Sequence, residues 1–136
     1  MSLAANELQK ALYARLTAQL AGTPVYDHVP QATAYPYVRL GSLTALPWDT
    51  KTEDGQEYTV TIHAFAQGAG KKSVQALMQT IYAALHHQEA SLTLTGFTVV
   101  VLRCEFSEAD VEPMTDAAPD RDQHGVLRFR ALVATD

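Results

Sequence analysis

Two stretches of the chain place apolar residues at helical spacing. The first stripe consists of Leu8, Leu12, Leu16 and Leu20, and the second of Val74, Leu77, Met78, Ile81 and Leu85. Apolar residues that recur at intervals of three and four line one face of an α-helix. The pattern therefore predicts two amphipathic helices, one ended by Gly22 to Pro24 and one over about residues 71–87.

The remaining apolar segments follow the alternation of β-strands. Residues 37–46, 57–67, 97–106 and 124–133 are rich in β-branched and aromatic residues, and a short extended piece covers 25–30. Strands joined by short turns pair antiparallel, and the second helix allows one crossover. We expect an α+β fold of order α-β-β-β-α-β-β, in which one strand is very short. Its sheet is a mostly antiparallel one of four to five strands, with two helices packed on one face.

The faces of these strands leave apolar side chains without cover. In the last strand, Leu127, Phe129, Ala131 and Val133 share one side, whereas Val126, Arg128, Arg130 and Leu132 share the other. Strand 97–106 is apolar on both sides, with Val100, Leu102, Cys104 and Phe106 on one and Phe97, Val99 and Val101 on the other. Two helices cover only one face, so either the sheet curls on itself or another subunit packs there.

The second side of the last strand therefore predicts a contact surface formed by Val126, Arg128, Arg130 and Leu132. Arginine suits interfaces because its planar fork meets carboxylates bidentately. The alternative is that both arginines pair with acids of their own chain or are solvated.

Two polar segments are predicted to be exposed loops. Residues 47–56 carry turn chemistry and include Trp48, Asp49 and Lys51. Residues 107–123 lack periodicity and contain Glu108, Asp110, Glu112, Asp116, Asp120 and Asp122. Long loops in a compact domain are usually functional or disordered. Of these residues, Trp48, Asp49, Lys51, Glu108, Asp110 and Glu112 are candidates for a contact with a partner.

Composition narrows the class of protein. The chain has 136 residues, 47% hydrophobic and 18% charged, as in an ordinary single soluble domain. A net charge of −5 argues against gripping phosphate backbones. One cysteine excludes an internal disulfide, and the start of the chain shows no signal peptide, so folding in a cytoplasm is expected. No apolar stretch is long enough to span a membrane.

The residue types that carry catalysis form no recognisable motif. His86 and His87 are adjacent and diverge on a helix, while His28, His63 and His124 have no second ligand at metal-binding spacing. Cys104 lies in an apolar run, and the turn at 68–72 lacks the spacing of a phosphate-binding loop. The aromatic residues at 35–37, Trp48 and Phe65 indicate cross-strand packing more than a binding platform. The residues therefore show no enzyme signature.

Several segments resemble, in the right order, the tail-completion family of tailed phages and gene transfer agents. They are VYDHVPQATAYPYVRLG at 25–41, WDTKTEDGQEYTVTIHAFAQGAGKKSVQALMQTIYAAL at 48–85 and HGVLRFRALV at 124–133. The resemblance implies a tail terminator or tail-to-head joining protein without catalysis and without a cofactor. Its copies would form a ring, typically a hexamer, that ends the tail tube and docks to the head connector.

The resemblance also implies partners and a place in the particle. The expected partners are other copies of the chain, the tail-tube protein and the head connector or stopper protein. DNA would pass an acidic channel wall without specific binding, and no membrane is involved. The protein would be assembled in the bacterial cytoplasm and reside in the virion tail or neck.

At residue level, Arg128 and Arg130 would contact a neighbouring subunit or the tube, and their joint charge reversal would block assembly while the monomer stays folded. The loops at 47–56 and 107–123 would order on docking. Another neck component such as a head-tail adaptor, a small ligand-binding protein or enzyme, and an unrelated cellular oligomer remain alternatives.

Overall fold

A computed structural model describes residues 3–49, 54–68, 71–111 and 121–136, with the side chain of Arg121 left aside. Its elements, in chain order, are α1 (Ala5–Gln19), β1 (Val25–Tyr26), β2 (Tyr37–Pro47), β3 (Gly55–Gly68), α2 (Lys72–Leu85), a 3-10 turn (Glu89–Ser91), β4 (Phe97–Val111) and β5 (Arg121–Thr135). The predicted order of helices and strands is confirmed. In the described part of the chain, neither helix is long and apolar enough to cross a membrane.

The five strands form one mixed sheet in the order β1-β2-β3-β5-β4. The pairs β2–β3, β3–β5 and β5–β4 are antiparallel, while the two-residue strand β1 runs parallel to β2. β5 therefore lies in the interior of the sheet and β4 forms one edge. The predicted sheet, mostly antiparallel with one very short strand, is confirmed.

The core lies between the sheet and the two helices. The predicted apolar side of the last strand, from Leu127 to Val133, is buried, and Phe129 is 0% exposed. The helical stripes face it, and Leu8, Leu16, Ile81 and Leu85 are each 0% exposed. Both helices thus cover the same face of the sheet, which we call the helix face, as predicted.

The N-terminus of α2 is held by a side chain from β5. Gln123 is 1% exposed, and its Oε1 accepts a hydrogen bond of 2.8 Å from the backbone N–H of Val74. The first N–H groups of a helix have no partner within the helix, so this buried amide satisfies one of them. Its place shows that Gln123 belongs to the core, not to a loop.

The predicted exposed loops are shorter than the sequence indicated. Residues 107–111 belong to β4 and 121–123 to β5, where Val111 pairs with Gln123. Likewise Pro47 ends β2, and Gly55 and Gln56 open β3. A polar segment without periodicity can still form a strand, because each hydrogen bond to a neighbouring strand satisfies one backbone donor and one backbone acceptor. Residues 50–53 and 112–120, including Lys51 and Glu112, lie outside the described residues.

The face assignment of β4 needs a second correction. Its register against β5 shifts between Val99 and Val101 and again between Cys104 and Phe106. A β-bulge adds one residue to one strand and so moves the following side chains to the other face. Val99 and Leu102 consequently share the helix face, whereas Val100 and Phe106 are 47% and 41% exposed. Unbroken alternation predicted that Val100 and Phe106 lie on the side of Leu102 and that Val101 lies on the side of Val99; the two bulges make both predictions wrong.

Candidate functional site: the open face of the sheet

The face of the sheet that carries no helix is called the open face. Its side chains alternate with the buried ones and include Arg39, Glu57, Thr59, Thr61, His63, Phe65, Val101, Arg103, Glu105, Phe106, Glu108, Asp110, Asp122, His124, Val126, Arg128, Arg130 and Leu132. Most of them are half-buried by their neighbours alone. The prediction that two helices leave one face without cover is therefore confirmed for the described residues.

Arg130 lies in an ion-pair cluster formed within the chain. Its Nε donates a hydrogen bond of 2.6 Å to Oε1 of Glu57, and Oε1 of Glu105 lies 3.9 Å from the same nitrogen. The hydrogen bond to Glu57, helped by both carboxylate charges, raises the pKa of Arg130 above its ordinary value. This geometry matches the alternative in which the arginine pairs with its own chain's acids. A contact of Arg130 with a partner stays a prediction.

Arg128 stands apart from that cluster. Its guanidinium carbon lies 5.0 Å from the ring centroid of Phe106, the residue opposite it on β4. A cation over an aromatic face is attracted by the ring quadrupole, by about 0.5–1 kcal/mol at exposed sites. Both side chains are exposed. Arginine and aromatic residues are enriched at protein interfaces, so this pair is the part of the open face best suited to a partner.

The two aliphatic residues beside the arginines are partly covered already. Leu132 is 8% exposed and sits opposite Val101 of β4 and Glu57 of β3. Val126 is half-buried, opposite His63 and Glu108. Side chains of the same chain therefore bury much of the surface of Leu132 and Val126 that was expected to be buried by another subunit.

The other residues predicted at the interface fall at two opposite ends of the sheet. Trp48 and Asp49 follow β2, where the backbone N–H of Gly55 donates to Oδ1 of Asp49 over 3.2 Å and a Cβ on Gly55 would lie 2.7 Å from the Trp48 ring. Glu108 and Asp110 are exposed near the far end of β4. The residues chosen from sequence therefore form no single cluster.

An aromatic and histidine cluster lies at the end of the open face near Asp110. The cross-strand packing of its aromatic residues was predicted from the sequence and is confirmed, whereas the part played by the two histidines was not predicted. The rings of Tyr37 and Phe65 are 4.7 Å apart, those of Phe65 and His124 are 4.7 Å apart, and those of His124 and His63 are 5.1 Å apart. Tyr35 packs against Tyr37 at 5.4 Å. The residues come from three strands, so only the register Tyr37–Phe65–His124 could have revealed them. Trp48, grouped with these rings in the sequence analysis, lies at the other end of the sheet.

The two histidines of this cluster are joined directly. Nδ1 of His63 and Nε2 of His124 are 2.9 Å apart, a hydrogen bond in which one ring donates and the other accepts. Burial, then the charge of Arg39, then His124, lowers the pKa of His63 to about 4. His63 is therefore neutral at pH 7.

The lowered pKa of His63 makes stability depend on pH. A histidine whose folded pKa lies below its unfolded value of 6.5 stabilises the fold above pH 6.5 and loses that contribution as pH falls towards 4. Because the ring is partly exposed, solvent screening reduces the effect, and we expect a loss of about 1 kcal/mol between pH 7.5 and pH 5. Urea unfolding at the two pH values measures it. His63→Phe keeps an aromatic ring and should flatten this loss; equal losses in both proteins would contradict the assignment.

Catalytic residue types do not converge in the described part of the chain. The Cys104 thiol is half-buried and burial raises its pKa, which disfavours the reactive thiolate. His86, beside it, accepts a hydrogen bond of 3.1 Å from the Cys104 backbone N–H through Nδ1. No group of three or more metal-binding side chains occurs within the described ranges.

The fold as a whole is that of a structural component of a virus-like particle. It superimposes on a chain from a structure of the virion of a native gene transfer agent particle with a TM-score of 0.77 and 29% identity, covering 98% of this chain and 99% of that one. The chain is also 27% identical to the tail completion protein gp17 of Bacillus phage SPP1, over 96% of this chain and 95% of the relative.

The family follows from the sequence profile of tail completion protein gp17, which matches residues 10–134. This protein belongs to that family. The resemblance inferred from the segments at 25–41, 48–85 and 124–133 is confirmed, and a structural role in a phage-type tail agrees with it.

Proposed function

We propose that this protein closes the head-proximal end of a tail tube as a ring of identical copies and joins that tail to the head connector. The observation that carries the proposal is the open face, on which the exposed Arg128 and Phe106 form a pair and which neither helix of the described residues covers. Membership of the tail completion family supports the proposal, because a protein of a phage tail has other virion proteins as neighbours that can cover such a face.

The mixed charges of the open face would allow DNA to pass and would not bind it tightly. Carboxylates of Glu57, Glu105, Glu108, Asp110 and Asp122 are interspersed with the guanidinium groups of Arg39, Arg103, Arg128 and Arg130. Binding to phosphate backbones needs a continuous basic patch or stripe, and this mixed face does not present one. If the open face borders the channel, DNA would slide past it without specific binding.

The function is tested by inactivating the gene in the strain that produces the particle. A terminator limits tube growth, so its loss should yield DNA-filled heads and separate tails of irregular, extended length in electron micrographs. Supplying the wild-type gene in trans should restore joined particles with tails of uniform length. Separate tails of normal length would instead indicate a head-tail adaptor, and normal particles would overturn a structural role.

A further inference from the structure

One edge of the sheet is covered at Leu102 and Cys104, near the middle of β4. Beside the outer edge of β4, the backbone N–H of His87 donates to the carbonyl of Leu102 over 2.9 Å. The Leu102 N–H in turn donates to Oε1 of Glu89 over 3.2 Å, and the Cys104 N–H donates to Nδ1 of His86. The segment after α2 thus occupies the outward N–H and C=O of Leu102 and the outward N–H of Cys104.

Beyond the second bulge, no strand among the described residues pairs with the outer edge of β4. The bulge shifts the alternation, so the outward backbone groups belong to Ser107, Ala109 and Val111. Within the described ranges, one of these groups makes a hydrogen bond: the N–H of Val111 donates to the carboxylate of Asp110 over 2.8 Å. Residues 107–111 therefore present a strand edge ready for pairing.

The opposite edge of the sheet has a free stretch of equal length. β1 pairs only with Val38 and Arg39, which leaves the outer side of residues 43–47 without a described strand partner. The N–H of Trp48 points inward to Gly55, so by alternation Leu43, Ala45 and Pro47 direct their backbone groups outward. Pro47 has no N–H, so at this edge it can accept a hydrogen bond through its carbonyl but cannot donate one.

We propose that residues 107–111 of one copy pair antiparallel with residues 43–47 of the next copy, which makes the ring a continuous sheet. The inference rests on the ring of the proposed function and names its contact. Pairing of two 107–111 edges would place Glu108 opposite Asp110, and like charges directly opposite are destabilising. The 43–47 edge carries no charge, so it accepts the acidic strand without that repulsion.

Strand direction and side-chain faces agree with this pairing. β2 and β4 run antiparallel within one sheet, so a head-to-tail neighbour presents them in antiparallel orientation. Ala45 pairs with the buried Tyr58 and Ala109 pairs with Gly125, which places both alanines on the helix face. When Ala45 faces Ala109, Leu43 meets Val111 and Pro47 meets Ser107, and every directly opposed pair shares a face.

The stretches 43–47 and 107–111 lie at different levels along the strands. Pairing them therefore displaces each copy along the strand direction relative to the last, and this displacement fits a closed ring. Ala45 is level with Ala131 of β5, whereas Ala109 is level with Gly125, six positions along that strand. Each neighbour is therefore displaced by about 20 Å along the strands at ~3.3 Å per residue. The repeating width is that of β2, β3, β5 and β4, about 19 Å at ~4.8 Å per strand. The strands would tilt by about 45°, at the upper end of the range of closed barrels.

Disulfide cross-linking tests the pairing. In a Cys104→Ser background, Ala45→Cys combined with Ala109→Cys should give, on mild oxidation, a ladder of covalent oligomers on non-reducing gels. Directly opposed residues of an antiparallel pair have Cα atoms about 5.5 Å apart, which suits a disulfide. Mixing the two single-cysteine variants should give covalent dimers and nothing larger.

The matched control is Thr44→Cys with Ala109→Cys, which places one thiol on each face and should yield at least about tenfold less oligomer. Cross-linking of Ala45→Cys alone would show that residues 43–47 pair with themselves and would overturn the proposal. The Cys104→Ser protein, mixed with the cognate tail-tube protein, is weighed by native mass spectrometry in parallel. Rings without cross-links would refute the edge pairing and leave the proposed function standing, whereas failure to form rings on the tube would refute both.

Discussion

Phe129→Ala is expected to cost about 3–5 kcal/mol of unfolding free energy. Phe129 is 0% exposed on the interior strand β5, between Val60 of β3 and Cys104 of β4. Removing its ring leaves a cavity that the paired strands on both sides cannot collapse to fill, because their spacing is fixed by the ladders. Since domains are stable by only about 5–15 kcal/mol, the variant should be close to unfolding at room temperature.

Phe106→Ala is the matched control for that substitution. Phe106 lies on the neighbouring strand but on the open face, where it is 41% exposed and packs under Arg128. Its truncation should cost about 1 kcal/mol or less, mainly the cation–aromatic contact. Urea titrations followed by circular dichroism measure both values, provided that the slope against urea stays constant. Equal costs at the two positions would show that β5 is not the buried centre of the sheet.

The helices and the helix face could be predicted from the sequence because their signals are local. A stripe such as Val74, Met78 and Ile81 identifies a buried helical face by itself, and the alternation from Leu127 to Val133 identifies a half-buried strand. The uncovered second face could be predicted because two helices are enough to cover only one face of the sheet. The lengths of the strands could not be predicted, because Ser107 and Gln123 are polar residues whose pairing is decided by a partner strand distant in sequence.

The open face was harder to predict because its chemistry depends on register. The bulges in β4 bring Phe106 opposite Arg128, and pairing across β3 and β5 brings His63 within hydrogen-bond distance of His124. No spacing along a single strand encodes either contact. The pairing of Arg130 with Glu57, 73 residues earlier, has the same origin. Sequence reasoning could therefore identify the face that the helices leave uncovered, but not which of its side chains are already paired within the chain.

This distinction changes the charge-reversal experiment expected from the sequence. Reversing Arg130 would place a third carboxylate beside Glu57 and Glu105, so a loss of assembly could follow from a weakened fold. Arg128 is exposed, and it contacts the ring of Phe106. Arg128→Glu alone should therefore leave the unfolding free energy within about 1 kcal/mol of wild type.

The same Arg128→Glu variant should lower the yield of joined particles at least about tenfold when it replaces the wild-type gene. Truncation of an interface arginine commonly costs about 2 kcal/mol or more, and reversal adds repulsion with the partner's carboxylates. Arg103→Glu changes the net charge equally at another exposed open-face position, on the edge strand β4, and is the control. Electron microscopy of complemented lysates counts joined particles. If both variants assemble to the same extent, Arg128 makes no specific contact. If only Arg128→Glu fails, the partner binds at Arg128 and Phe106, because the two variant proteins have the same total charge.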